Sequence, residues 1–175
     1  MNDRQLSPHF SFFGLTKTEH VDLQEENRHV NREEDLKLVE VANLLEACRV
    51  ILGCDLDVHS GRRYLALNKR VGGSERSQHL KCEAVDFSPQ GPDTEETVTN
   101  AWQKIVTAAR RQRAPGYVGT GILKFGQLIL ETDKNAREGR VWWIHISLAT
   151  YRDKARCGEI LTSVDGKTTM IARIA

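Results

Sequence analysis

The sequence predicts an α+β fold: one domain with a mostly antiparallel sheet and flanking helices. Three observations carry this. Two segments, about 33–53 and 94–113, repeat apolar residues at helical spacing. Shorter segments, bounded by Gly, Asp and Ser, read as strands, and the last of them pair as hairpins. Helices and strands mix without strict βαβ alternation, which disfavours a parallel, doubly wound sheet.

The elements follow in chain order. Residues 1–32 are polar apart from the cluster Phe10, Phe12, Phe13 and Leu15, and read as an arm that docks through its aromatics on the domain proper, 33–175. Glu33 and Glu34 open the first long helix and Gly53 stops it. Asp55 to His59 alternate as a strand ending at Ser60-Gly61, and a short helix spans about Arg63 to Lys69. Glu83 to Phe87 read as the next strand. Asp93, with Glu96 three residues on, reads as the cap of a helix running to about Arg113. Gly126–Glu131 and Val141–Ser147 are expected to form a hairpin. Ile160–Val164 and Lys167–Ile174 flank Asp165-Gly166, a type I′ turn signal.

Composition excludes several classes. The chain has 175 residues, with 25 Lys plus Arg against 24 Asp plus Glu. That balance gives no electrostatic reason to expect nucleic acid as a partner. No run approaches the roughly 20 apolar residues of a membrane span. The opening Met1-Asn2-Asp3-Arg4-Gln5-Leu6 lacks a secretory pattern, so the expectation is a cytoplasmic monomer, not exported by that route. Four cysteines occur with no CxxC pair, which reads as reduced thiols rather than a zinc knuckle or redox motif.

The chemistry concentrates in Ser60-Gly61-Arg62-Arg63, in Val71 to His79, in Ala84-Val85-Asp86-Phe87, in Gln127 to Glu131 and in Trp142 to Ser147. His79, Asp86 and His145 are two imidazoles and a carboxylate, the donor types of a catalytic zinc set. On a continuous strand the seven-residue spacing of His79 and Asp86 would put them on opposite faces. They converge only if the chain turns between them, and Leu80-Lys81-Cys82 gives room for that turn. By residue type alone, a lone His on an apolar strand is more often a satisfied core or surface histidine than a ligand.

The series SGxR, VGGSxxSQH, AxDF, QLIxE and WxHIS, in this order over about residues 35–150, resembles the zinc D-Ala-D-Ala carboxypeptidase family and its endolysin-like branch. The segments Leu6-Ser7-Pro8-His9-Phe10 and Thr16-Lys17-Thr18 also look like that family's leading part. The resemblance implies a Hedgehog/DD-peptidase-like fold and a zinc-dependent peptidase hydrolysing peptidoglycan peptides. D-Ala-D-Ala carboxypeptidase and L-Ala-D-Glu endopeptidase activities both remain open, and with no secretory pattern the resemblance implies an enzyme that is cytoplasmic or released at phage lysis. It implies Zn2+ held by His79, Asp86 and His145, with Arg63 beside the substrate, polarising the scissile carbonyl or holding a carboxylate.

Relatives place a general-base Glu three residues before the last His, where this chain has Trp142. Glu131 of QLIxE, expected opposite Val141–Trp143, is the candidate base in its stead. Gln127 on the same strand face is a candidate hydrogen-bonding residue near the metal, and Ser77 a candidate holding the His79 loop at the substrate site. Cys82 stands where relatives carry Gly. It shares strand parity with Asp86, so its thiol is expected on the metal side, either as a closing ligand or as a small packing residue. Trp142 and Cys82 keep an alternative in view: a non-catalytic relative that binds cell-wall peptide or a protein partner.

Overall fold

The computed structural model describes residues 2–112, 123–134, 140–149 and 157–174. Two short helices, α1 (Phe12–Thr16) and α2 (Gln24–Arg28), precede the long helix α3 (Arg32–Leu52). Strand β1 (Leu56–Ser60) and helix α4 (Leu65–Arg70) lead through a 3-10 turn at Gln78–Lys81 into β2 (Ala84–Pro89). Helix α5 (Glu95–Arg111) follows, and then β3 (Gln127–Asp133), β4 (Val141–Ser147), β5 (Glu159–Val164) and β6 (Lys167–Arg173). The expected α+β class is what the chain adopts.

The elements start and stop for local reasons. α3 begins with a capping box: the Asn31 side chain accepts from the Glu34 N–H and the Glu34 carboxylate accepts from the Asn31 N–H. It ends where Gly53 turns left-handed. The expected cap of α5 is corrected by one residue: Thr94 is the N-cap and accepts from the Thr97 N–H, which leaves Asp93 outside the helix. The helix ends at Arg111, and Arg113 lies outside the described residues.

The six strands form one sheet in the order β1-β2-β4-β3-β5-β6. Every neighbouring pair is antiparallel except β3 with β5. Alternation gives the central strands two distinct faces. Val85 and Phe87 of β2, Leu128 and Leu130 of β3, and Ile144 and Ile146 of β4 join Leu38, Leu45 and Cys48 of α3 and Val98 and Ile105 of α5 in the core. The opposite face carries Asp86, His145 and Ile129 side by side, since Asp86 pairs with His145 and His145 with Ile129.

Leu6, Phe10, Phe12 and Leu15 belong to the same core, so the first residues are structural and not merely adjacent. Phe13 is half-buried beneath the Arg28 guanidinium, 3.8 Å from its ring centre. Buried Asn27 stitches this region to the loop after β1: its amide donates to the Thr16 and Arg62 carbonyls, and its oxygen accepts from the Tyr64 N–H. Glu46 of α3 holds the outer end, accepting from Ser7 Oγ at 2.8 Å, the His9 N–H at 2.8 Å and His9 Nδ1 at 2.9 Å.

Partial burial raises the Glu46 carboxyl, but the bonds from Ser7 and His9 outweigh it and hold the group below its ordinary 4.5. A carboxyl lowered in the folded state stabilises above its unfolded value, and the contribution is lost as pH falls through the folded value. Glu46→Gln is therefore expected to cost about 1–2 kcal/mol near neutrality. Denaturant unfolding of wild type and variant should converge as the pH falls below the ordinary 4.5 and on through the lowered folded value, where Glu46 is protonated in both states.

Candidate functional site

Three elements deliver the metal-type donors. Asp86 and His145 are register partners on β2 and β4 and point to the same face. His79 arrives from the 3-10 turn at Gln78–Lys81, whose N-cap Ser77 accepts from the His79 N–H at 3.3 Å. Cys82 then takes a left-handed conformation, φ 55°, and reverses the chain into β2. That reversal brings His79 and Asp86 to one face despite their odd spacing. It also corrects the expectation for Cys82, which lies before the strand, where parity does not apply. Its side chain is buried in the core, and burial pushes its thiol up to about 12.

His79 Nε2 lies 3.2 Å from Asp86 Oδ1 and 3.2 Å from His145 Nδ1, and His145 Nδ1 lies 2.8 Å from Asp86 Oδ1. All three residues are buried. The far side of each imidazole is fixed. His79 Nδ1 is 2.6 Å from the Gly61 carbonyl, which can only accept, so that nitrogen carries the proton. His145 Nε2 faces Gln78 Oε1 at 3.1 Å, while the Gln78 amide donates to Ser147 Oγ at 2.9 Å. In these tautomers both converging nitrogens turn lone pairs toward a carboxylate oxygen.

Three acceptors in mutual contact call for a cation between them. Their separations approach the edge, about 3.4 Å, of a tetrahedron with ~2.1 Å zinc bonds. The residues present therefore fit zinc. Three protein donors is the number of catalytic sites rather than closed structural ones, and among the described residues no fourth His, Cys, Asp or Glu joins the group. Burial lowers His79 despite the nearby Asp86 charge. At His145 burial acts the same way, but the bond and charge of Asp86 prevail and raise it. Asp86 is held well below the carboxylate range, because the two histidines outweigh its burial.

Arg63 donates through Nε to Ser60 Oγ at 2.7 Å and through Nη2 to Asp86 Oδ2 at 2.6 Å. It occupies the carboxylate oxygen turned away from the histidines and so fixes which oxygen faces them. It also lines a cleft of about 280 Å³ with His59, Ser60, Asp86, Asp93 and Trp142–Trp143.

Glu131 pairs with Trp143, two positions along β3 from the Ile129–His145 pair and on the same face. Burial and the Asp86 charge raise its carboxyl, against the opposing pull of His145, the Trp143 indole and Arg63. Trp142, opposite Thr132, has the parity of Ile144 and packs partly against the core. Gln127 lies further along that face, opposite Glu159, to which its amide donates at 2.9 Å. Gln78 and Ser147, which orient His145, were not singled out from the sequence. The Q before the H of SQH and the S after HI were the available signals, and neither type at that spacing indicates a contact 67 residues away.

A family model described as Peptidase M15 matches residues 9–119, nearly two thirds of the chain. The chain belongs to the peptidase M15 family. That family is one of zinc peptidases of the peptidoglycan type, and the chain's α+β sheet is consistent with the M15 peptidase fold. The matched stretch includes Arg63, His79 and Asp86 and ends before Glu131 and His145. No curated protein matches the chain. Among the described residues of this M15 protein no helix is long and apolar enough to cross a membrane.

His145→Ala should abolish stoichiometric zinc in equilibrium dialysis followed by metal analysis. Gln78→Leu removes the acceptor behind His145 but no ligand, and should weaken zinc binding about 10- to 100-fold in the same measurement.

Proposed function

We propose that this protein is a zinc-dependent peptidase hydrolysing peptidoglycan peptide bonds, of the D-Ala-D-Ala carboxypeptidase or L-Ala-D-Glu endopeptidase type. The observation that carries the reading is the meeting of three lone-pair donors, His79 Nε2, Asp86 Oδ1 and His145 Nδ1, within 3.2 Å beside a cleft. These three residues would hold zinc, which when bound would supply Lewis acidity toward the scissile carbonyl and toward water.

The remaining roles belong to the protein. Glu131, on the face of His145 and raised by burial, accepts the proton of the attacking water and returns it to the leaving amine. A raised carboxyl suits this exchange, since its proton affinity lies nearer to neutrality than that of an exposed glutamate. Arg63 has five N–H donors, of which Ser60 and Asp86 take two, so its fork can hold Asp86 and still meet a substrate oxygen in the cleft. Trp143, on the face of His145, offers an apolar wall that excludes water from the bond under attack. Ser77 serves by holding the His79 turn. Gln127, engaged with Glu159, orders the far end of the same strand face.

Glu131→Gln keeps size and polarity but cannot take the proton. Turnover of purified peptidoglycan, followed by mass analysis of the released peptides, should fall about 100- to 10,000-fold with one zinc per chain retained. Near-normal turnover would remove Glu131 from the mechanism. Loss of zinc together with turnover would make it a ligand or a folding residue instead.

A further inference from the structure

The cleft holds a carboxylate that hydrolysis does not use. Asp93 lines it together with His59, Ser60, Arg63, Trp142 and Trp143. Because Thr94 caps α5, the Asp93 side chain is not consumed by the helix N-terminus. Its Oδ2 lies 3.6 Å from His59 Nε2, which is already engaged with Ser88 Oγ at 2.9 Å. Its Oδ1 is enclosed by protein and has no hydrogen-bond partner. The rest of the side chain is open, 34% exposed, so a donor in the cleft can reach the carboxylate through Oδ2, which among the described residues is faced only by the imidazole at 3.6 Å.

The charges around it define that donor. Arg63, the cation on the cleft wall, is tied to Asp86 and Ser60. Among the described lining residues Asp93 is thus the carboxylate balanced only by an imidazole, which carries charge only when protonated. An anionic group would be repelled there and an apolar one would leave the open carboxylate oxygen unmet. Trp143, on the His145 face and lining the same cleft, favours a cation over a neutral amide.

We propose that Asp93, with His59 and Trp143, forms a subsite for a primary ammonium group of the peptide substrate. The inference rests on the peptidase reading, and it makes Asp93 a specificity-determining residue. Two amines of a peptide share this chemistry: the side-chain amine of a diamino-acid residue and the free α-amino end.

The test uses zinc-loaded full-length protein and three versions of one stem peptide containing a diamino acid: free at both amines, acetylated on the side-chain amine, or acetylated on the α-amine. Binding is read by calorimetry and cleavage by mass analysis, for wild type and for Asp93→Asn. Wild type should bind the free peptide about tenfold or more tightly than one of the acetylated forms, the expected worth of a charge-assisted hydrogen bond. The acetylation that weakens binding identifies the amine. In Asp93→Asn the ratio between free and acetylated peptide should fall to near one.

Wild-type affinity indifferent to both acetylations, or a ratio that persists in Asp93→Asn, overturns the subsite. Cleavage without amine dependence overturns it and leaves the peptidase reading intact. Amine-dependent binding without cleavage supports the subsite and overturns the peptidase reading. Neither binding nor cleavage overturns both.

Discussion

Two imidazole nitrogens and a carboxylate oxygen brought within 3.2 Å of one another repel unless a cation stands among them. The surroundings hold this arrangement by fixing each ligand from behind. The Gly61 carbonyl fixes His79, Gln78 fixes His145, and Arg63 fixes the second oxygen of Asp86. Gly61 is itself pinned: a Cβ there would stand 2.3 Å from the Leu15 carbonyl oxygen, and the next N–H, of Arg62, donates to that same oxygen at 2.8 Å. The N-terminal residues thereby act on the metal-type site at one remove. The apolar anchors Phe12 and Leu15 place the Leu15 carbonyl, that carbonyl places the Gly61 loop, and the loop orients His79.

The sheet turns that local constraint into a platform. Its central strands β2, β4 and β3 place core residues on the side covered by α3 and α5, and Asp86, His145 and Glu131 on the other. A one-residue slip of β2 against β4 would take Asp86 off the His145 face and bury a carboxylate in the core, so the hydrophobic pattern and the site enforce the same register. Rigid strands suit a site whose donor atoms need placement to a fraction of an ångström.

Charge is distributed unevenly along the cleft. Near the metal-type donors, carboxylate and guanidinium compensate each other at 2.6 Å, whereas Asp93 is met at 3.6 Å by a histidine. The cleft thus joins a carboxylate compensated by a guanidinium to one that faces only an imidazole. Such an asymmetry orients a substrate before any bond to it is broken.

The sequence by itself determined the elements and the donor types. Apolar periodicity marked α3, α5 and the late hairpins, the Asp165-Gly166 turn joins β5 to β6, and the motif residues identified His79, Asp86, His145 and Glu131. These are local or motif-borne signals, and local chemistry is what periodicity and spacing record. Only the tertiary structure decided the rest. Cys82 entered the core because a left-handed turn, invisible to strand parity, precedes β2. Gln78 reached His145 because β4 lies beside β2, a pairing between residues far apart in the chain. Asp93 turned to the cleft because Thr94 took the cap one residue later. Contacts across the chain arise from packing free energy summed over the whole core, which no short window of sequence contains.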